Sequence, residues 1–240
     1  MKRLFLVLCM GLAVLMSSCV KTPEEPLHLN FSVLGDSFSS FKGYVYPDDN
    51  EFWYYSEHGV VTDVEQMWWF KVASRMEWVL DKNNSYSGSL ISNFWGYNAG
   101  PYYSPHSFIR RMDNLGNPDV IFVFGGANDV WSGAYSGDFV YSDWTEAQLE
   151  QYRPALAYLF DGLQRLYPRA KLYFLMDTSL SDIDHNGQEF VESVHEIARH
   201  YHIECIDLYG IHKDFAHPNA KGQNDIARQV IEVLRADFNV

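Results

Sequence analysis

Five consecutive apolar residues, Val120-Ile121-Phe122-Val123-Phe124, narrow the possible folds more than any other stretch of the chain. A strand with one wet face alternates polar and apolar side chains, so an unbroken apolar run needs cover on both faces. That is the position of a central strand in a parallel sheet held between helices. Pro118-Asp119 introduces the run and Gly125-Gly126 comes after it, as turn residues should. Apolar runs at 29–34, 171–176 and 203–207, with a weaker one inside 77–83, read as its neighbours.

Helical patterns fill the gaps. Thr62-Asp63-Val64-Glu65 has the form of a capping box, and Val64, Trp68, Val72 and Met76 recur at four-residue spacing, which predicts a helix over 62–78. A short helix is expected over 107–115. A second capping box, Thr145 to Gln148, opens a longer pattern over 145–167, which Pro154 should kink or restart. Further helices are expected over 189–201 and 218–237, the last with Pro218 in its first position. Strands alternating with helices predict one doubly wound α/β sheet of about five strands. The segment 41–61 carries Gly, Pro, Asp and aromatics without a period, and its length suggests a functional loop or a lid.

The chain has 240 residues, 47% of them hydrophobic, enough for one well-cored domain without staples. Lys2 and Arg3 precede an apolar run, Leu4 to Met16, too short to span a membrane, and Ser17-Ser18-Cys19 comes next. Leu15-Met16-Ser17-Ser18-Cys19 resembles a lipobox, in which the cysteine becomes the first mature residue and carries lipid. The alternative is ordinary cleavage near Ser18. This predicts a signal peptide over 1–18, a lipidated tether over 19–28 and a domain over 29–240, exported and membrane-anchored on the periplasmic or cell-surface side. Of the three cysteines only Cys205 then stays in the domain, so no internal disulfide is expected. The formal charge of −13 excludes nucleic acid as a natural partner.

The chemistry gathers where strands end. Gly35-Asp36-Ser37-Phe38-Ser39 comes after the first strand, which sets the Ser37 hydroxyl at the carboxyl edge of the sheet, where open α/β sheets bind ligands. A serine is a poor nucleophile until a base takes its proton, and the base needs a third group to fix its tautomer. Asp214-Phe215-Ala216-His217 offers both from one loop. Asn84-Ser85-Tyr86-Ser87-Gly88 and Gly125-Gly126-Ala127-Asn128-Asp129 come after two more strands and reach the same edge. There the Gly88 N–H and the Asn128 amide could face an oxyanion.

These four pieces resemble the SGNH (GDSL-type) hydrolase family, marked by a Gly-Asp-Ser-x-Ser block, a Gly, a Gly-x-Asn-Asp block and an Asp-x-x-His block. The resemblance runs from about 29 to 237. It implies a flavodoxin-like three-layer α/β/α fold, a Ser37-His217-Asp214 triad, and an oxyanion hole from Ser37, Gly88 and Asn128. Gly96 and Gly100 also lie near, but Gly88 alone closely succeeds the second strand. The Gly-x-Ser-x-Gly elbow of the α/β-hydrolases is absent, since Ser39 stands at its second Gly.

Two metal-like patterns read as structure. Asp182 to Gly187 imitates the start of a calcium loop, yet position twelve is Ser193 rather than a bidentate Glu, so it is expected to cap the next helix. His200 and His202 have no ligand pattern around them and read as surface residues. No metal or cofactor is expected. Trp53, Tyr54, Tyr55, Trp95, Tyr97, Tyr102, Tyr103, Trp131, Tyr135, Tyr141 and Trp144 all lie after strands, and amphipathic rings on a wet rim suit sugar or acyl groups. The reading is an exported serine esterase acting on acylated carbohydrate, with small-molecule or glycan esters as partners and the membrane reached only through lipid. A lipase, lysophospholipase or thioesterase, or a non-catalytic glycan-binding lipoprotein, are the alternatives. A metal-dependent phosphoesterase lacks its ligand cluster.

Overall fold

The computed structural model describes residues 28–55, 60–95 and 104–239. The expected signal, Cys19 and most of the tether lie outside them, as do Gly96, Tyr97, Gly100, Tyr102 and Tyr103.

Five strands, β1 (Asn30–Gly35), β2 (Val79–Ser85), β3 (Val120–Phe124), β4 (Lys171–Asp177) and β5 (Glu204–Leu208), form one parallel sheet in the order β2-β1-β3-β4-β5. The apolar run is the central strand β3, with all five residues buried. Helices α1 (Trp68–Met76), α2 (Phe108–Arg111), α3 (Ala127–Ser132), α4 (Glu146–Leu149), α5 (Tyr152–Leu166), α6 (His185–Tyr201) and α7 (Ala220–Phe238) join the strands and flank the sheet, giving the expected α/β fold. The strand order reverses between β1 and β3. Gly35 pairs in register with Phe124 across that switch and with Ser85 on the other side. The three strands therefore stop level, and the loops leaving them open on one crevice.

Several boundaries differ from the sequence pattern for physical reasons. Asp63, not Thr62, is the N-cap: its carboxylate accepts the Glu65 N–H at 2.9 Å while Gln66 Oε1 accepts the Asp63 N–H at 3.1 Å. That box closes only a short 3-10 turn. Met67 is extended, and α1 restarts at Trp68 because Gln223 Oε1 of α7 accepts the Trp68 N–H at 2.9 Å. Trp78 is not helical. Glu77 ends α1 in the left-handed region, and Trp78 leads into β2 with its ring 6.5 Å from Phe31 and 5.0 Å from Phe238.

Thr145 and Gln148 do form their box, but it closes the one-turn α4, and a fresh helix begins with Pro154 in its first turn, where a missing N–H costs nothing. The segment 182–187 does cap the next helix, Asp184 accepting the Gly187 N–H at 2.9 Å, but that cap opens α6 at His185, four residues before the expected start at 189. Pro218 does not open the last helix. It lies in a small antiparallel hairpin, β6 (Lys213–Asp214) with β7 (His217–Pro218), and Asn219 is the cap of α7.

Candidate active site

Gly35 is required where β1 ends, since a Cβ there would stand 2.6 Å from Ser85 Oγ and 2.8 Å from the Ser39 Cβ. The chain then turns sharply: Asp36 Oδ1 accepts the Phe38 N–H at 2.9 Å and its carbonyl accepts the Ser39 N–H at 3.2 Å. Ser37 sits at the turn, only 2% exposed. The loop is held from three sides. Ser39 accepts the Trp68 indole N–H on its hydroxyl at 3.0 Å and the Trp69 indole N–H on its carbonyl at 2.9 Å, while Asn83 Nδ2 donates to the same carbonyl at 2.9 Å. Gln223 Nε2 donates to the Phe38 carbonyl at 3.0 Å.

His217 comes to this loop from the far end of the chain, its Nε2 2.9 Å from Ser37 Oγ. The structure thus joins two of the three residues expected to act together. Asp214 is the cross-strand neighbour of His217, but no hydrogen bond or ion pair links them among the described residues. Its Oδ1 accepts Asn219 Nδ2 at 3.2 Å, and Asn219 Oδ1 in turn accepts the Lys221 and Gly222 N–H groups that begin α7. The tight turn is the reason. Phe215 and Ala216, at φ 49° and 73°, make a two-residue connection in the left-handed region, which points His217 Nδ1 at the Phe215 carbonyl, 3.4 Å away. Burial pushes the His217 pKa down to about 4, helped by the nearby Lys213 charge and opposed by that carbonyl. A base at this position is neutral at pH 7.

The third part of the crevice carries donors. Gly88, at φ 79°, lies in the turn after β2, which is pinned by Tyr86 N–H to the Gly35 carbonyl at 3.1 Å and Ser87 N–H to the Glu51 carbonyl at 2.9 Å. Neither the Ser37 nor the Gly88 N–H donates to another described residue. Asn128 stands in the first turn of α3, at the switch point. Its amide is occupied, donating to the Ser89 carbonyl at 3.0 Å and weakly to Asp36 Oδ2 at 3.4 Å. Next to it, buried Asp129 accepts the Ile91 and Ser92 N–H groups and the Ser92 hydroxyl, at 2.8, 3.1 and 2.7 Å, and so fixes the segment after Gly88. Burial raises the Asp129 pKa to about 6 and that of Asp36 to about 7.

A family model described as GDSL-like Lipase/Acylhydrolase matches residues 29–234. The chain belongs to the GDSL-like lipase/acylhydrolase family. Among solved structures it is similar to a protein from Bacteroides ovatus ATCC 8483 described as a GDSL-like lipase by resemblance, at 44% identity and a TM-score of 0.81 over 87% of this chain and 99% of that one. A second protein so described, from Bacteroides uniformis ATCC 8492, is 41% identical with a TM-score of 0.80 over 87% and 96%. A carbohydrate esterase family 2 enzyme with a carbohydrate binding domain, from Corynascus thermopiles (Myceliophthora fergusii), shares the fold at 18% identity and a TM-score of 0.58, over 92% of this chain and 69% of that one. No curated protein matches in sequence.

This GDSL-family site also uses residues that the sequence does not single out. Arg111 is buried and spends its guanidinium as a clamp. It donates to the Gly35 carbonyl at 3.0 Å and to Ser89 Oγ at 2.9 Å, and also to the Asn84 carbonyl, to Asn84 Oδ1 at 3.0 Å and to the His106 carbonyl at 2.6 Å. It ties the strand leading to Ser37 to the turn that holds Gly88. Burial lowers its pKa to about 9, against the pull of Asp36. In sequence nothing separates it from its neighbour Arg110, which is exposed. Lys213 pairs with Asp177 at the end of β4 and donates to Ser179 Oγ at 2.9 Å, anchoring the hairpin. Trp53 stacks on His217, centroids 3.8 Å apart and planes 9° apart. The sequence marks it only as one of the rim aromatics, not as a partner of His217. Among the described residues no group of three or more His, Cys, Asp or Glu could hold a metal ion.

Proposed function

We propose that this GDSL-family hydrolase removes short acyl groups, acetyl first among them, from carbohydrate. The observation that carries the esterase chemistry is the 2.9 Å contact between Ser37 Oγ and the neutral His217 Nε2; the Ser37 and Gly88 N–H groups, donating to no other described residue, are left for the oxyanion. Ser37 Oγ attacks the ester carbonyl carbon as His217 takes its proton, and the carbonyl π pair moves onto oxygen, facing the Ser37 and Gly88 N–H groups. Collapse breaks the bond to the alcohol oxygen, which leaves with the His217 proton. Water then attacks the acyl-enzyme by the same route and releases the acid. Asn128 joins the oxyanion hole when it gives up the weak 3.4 Å contact to Asp36.

The mixed character of the rim supports a carbohydrate alcohol. Trp53 and Trp131 flank His217, and Trp95 and Tyr135 are exposed. Rings spaced among polar residues suit sugar faces better than an acyl tunnel, which needs continuous aliphatic lining. The low-identity likeness to a carbohydrate esterase agrees with this reading. We also propose that Cys19 is lipidated and holds the exported enzyme at a membrane; none of the described helices is long and apolar enough to cross one. The test is a panel of esters from acetyl to octanoyl beside acetylated glycans. Catalytic efficiency should fall steeply with chain length and be highest on the glycans. A rise up to eight carbons would replace this reading with a lipase-like one.

A further inference from the structure

We propose that Trp53 is the positioning residue of His217, holding its ring in the plane that serves Ser37. The proposal rests on the esterase reading above. A histidine base must keep one tautomer and one ring orientation through both proton transfers. Here the Phe215 carbonyl, 3.4 Å from Nδ1, selects the tautomer with its proton on Nδ1 and its lone pair toward Ser37. A neutral carbonyl at that distance holds the ring loosely.

The indole supplies the rest. It lies 3.8 Å from the imidazole at an interplanar angle of 9°, while Phe38 meets the ring edge-on at 5.5 Å and 75°. Turning the imidazole about its side-chain torsion would drive its edge into the indole face, so the plane is fixed by contact. The indole also shields the ring from water and offers a π face to the imidazolium that forms when Ser37 loses its proton.

Trp53 is itself built in. Its N–H donates to Ser40 Oγ at 2.8 Å, just past the nucleophile. The adjoining Tyr54 is buried, bridges to Phe41, and donates its hydroxyl to the Pro218 carbonyl at 2.6 Å, one residue past His217. The segment carrying Trp53 therefore bridges the nucleophile loop and the histidine hairpin. The charged groups on the surrounding elements are Lys213 and Asp214 in the hairpin, Asp36 beside Ser37, Glu51 on the Trp53 segment, Asp129 on α3, Asp177 at the end of β4 and Lys221 on α7. Lys213 is the one that adds to burial in keeping His217 neutral.

The experiment compares wild type, Trp53→Phe, Trp53→Leu, Trp53→Ala and Asp214→Asn. It measures kcat and KM on a small acetyl ester, the pH dependence of kcat/KM, and the His217 pKa by NMR. Trp53→Ala should lower kcat about 30-fold or more with KM changed less than threefold, and should move the acid limb from about 4 toward the ordinary histidine value of 6.5. Trp53→Leu keeps bulk without a planar face and should show the same loss of kcat if the Ala variant does not fold. Trp53→Phe should restore most of it, and Asp214→Asn should leave the acid limb in place.

An effect of Trp53→Ala on KM alone, or an unmoved acid limb, overturns the proposal and makes Trp53 a substrate surface. So does an acid limb that moves with Asp214→Asn and not with Trp53→Ala. Ser37→Ala, run in parallel, tests the esterase reading separately, because it must abolish turnover whatever Trp53 does.

Discussion

The nucleophile and the base are held in opposite ways. Ser37 sits in a buried loop bolted by Trp68, Trp69, Asn83 and Gln223, drawn from two helices and a strand. His217 sits on an open hairpin whose turn places two ordinary residues in the left-handed region, with Phe215 at its tip 96% exposed. Each such residue costs on the order of 1–2 kcal/mol where Gly would cost little. Side-chain contacts at its edges oppose that strain, chief among them Lys213 on Asp177, Tyr54 on the Pro218 carbonyl and Trp53 on His217 itself. The difference teaches a division of labour. The fold fixes where the reaction occurs, and the hairpin sets how well the base meets it.

Removing the hydroxyl tests the fixed side. Ser37→Ala should lower turnover by several powers of ten, as loss of a triad nucleophile does, and should leave thermal stability within about 1 kcal/mol, because the loop is held by its neighbours. Retention of more than about a tenth of the activity would move the nucleophile elsewhere.

Arg111→Lys should come next. An ammonium cannot reproduce a fork that spans Gly35, Ser89, Asn84 and His106. The carbonyls it leaves unpaired should cost about 3 kcal/mol or more in denaturant unfolding. The shift of Gly88 against Ser37 should lower kcat by roughly 100-fold with KM little changed. Loss of stability without loss of kcat would reduce Arg111 to a core clamp and weaken the picture of a fixed nucleophile side.

That picture is unevenly legible in the sequence. The five strands, their central member and the edge holding Ser37, Gly88 and Asn128 follow from apolar periodicity and turn residues, because those signals are local. The cap at Asp63 stands one residue from where the pattern puts it, since Thr62 and Asp63 are both good caps and Gln66 decides between them. Arg111 and Gln223 act on partners far away in sequence, and only their burial reveals them. Asp214 shows the limit in the other direction. Its spacing to His217 reads as a triad, yet a two-residue left-handed turn and the Asn219 cap draw its carboxylate away.

The smallest effect is the one that probes the strained hairpin directly. Asn-Gly is the sequence a two-residue turn of this kind prefers, because both residues enter the left-handed region cheaply. Phe215→Asn with Ala216→Gly should therefore relieve the turn, offset in part by the greater entropy that Gly carries in the unfolded chain. The expected net gain is about 1 kcal/mol, a rise in Tm of about 2–4 °C for a chain of this length. The Phe215 carbonyl that faces Nδ1 belongs to the backbone, so turnover of a small acetyl ester should change less than threefold. A gain in Tm accompanied by a tenfold loss of kcat would show that the strain is used to press His217 toward Ser37. No gain in Tm would mean that the Asp177, Tyr54 and Trp53 contacts hold the hairpin as firmly as the buried loop opposite, and the contrast between the two sides would fall.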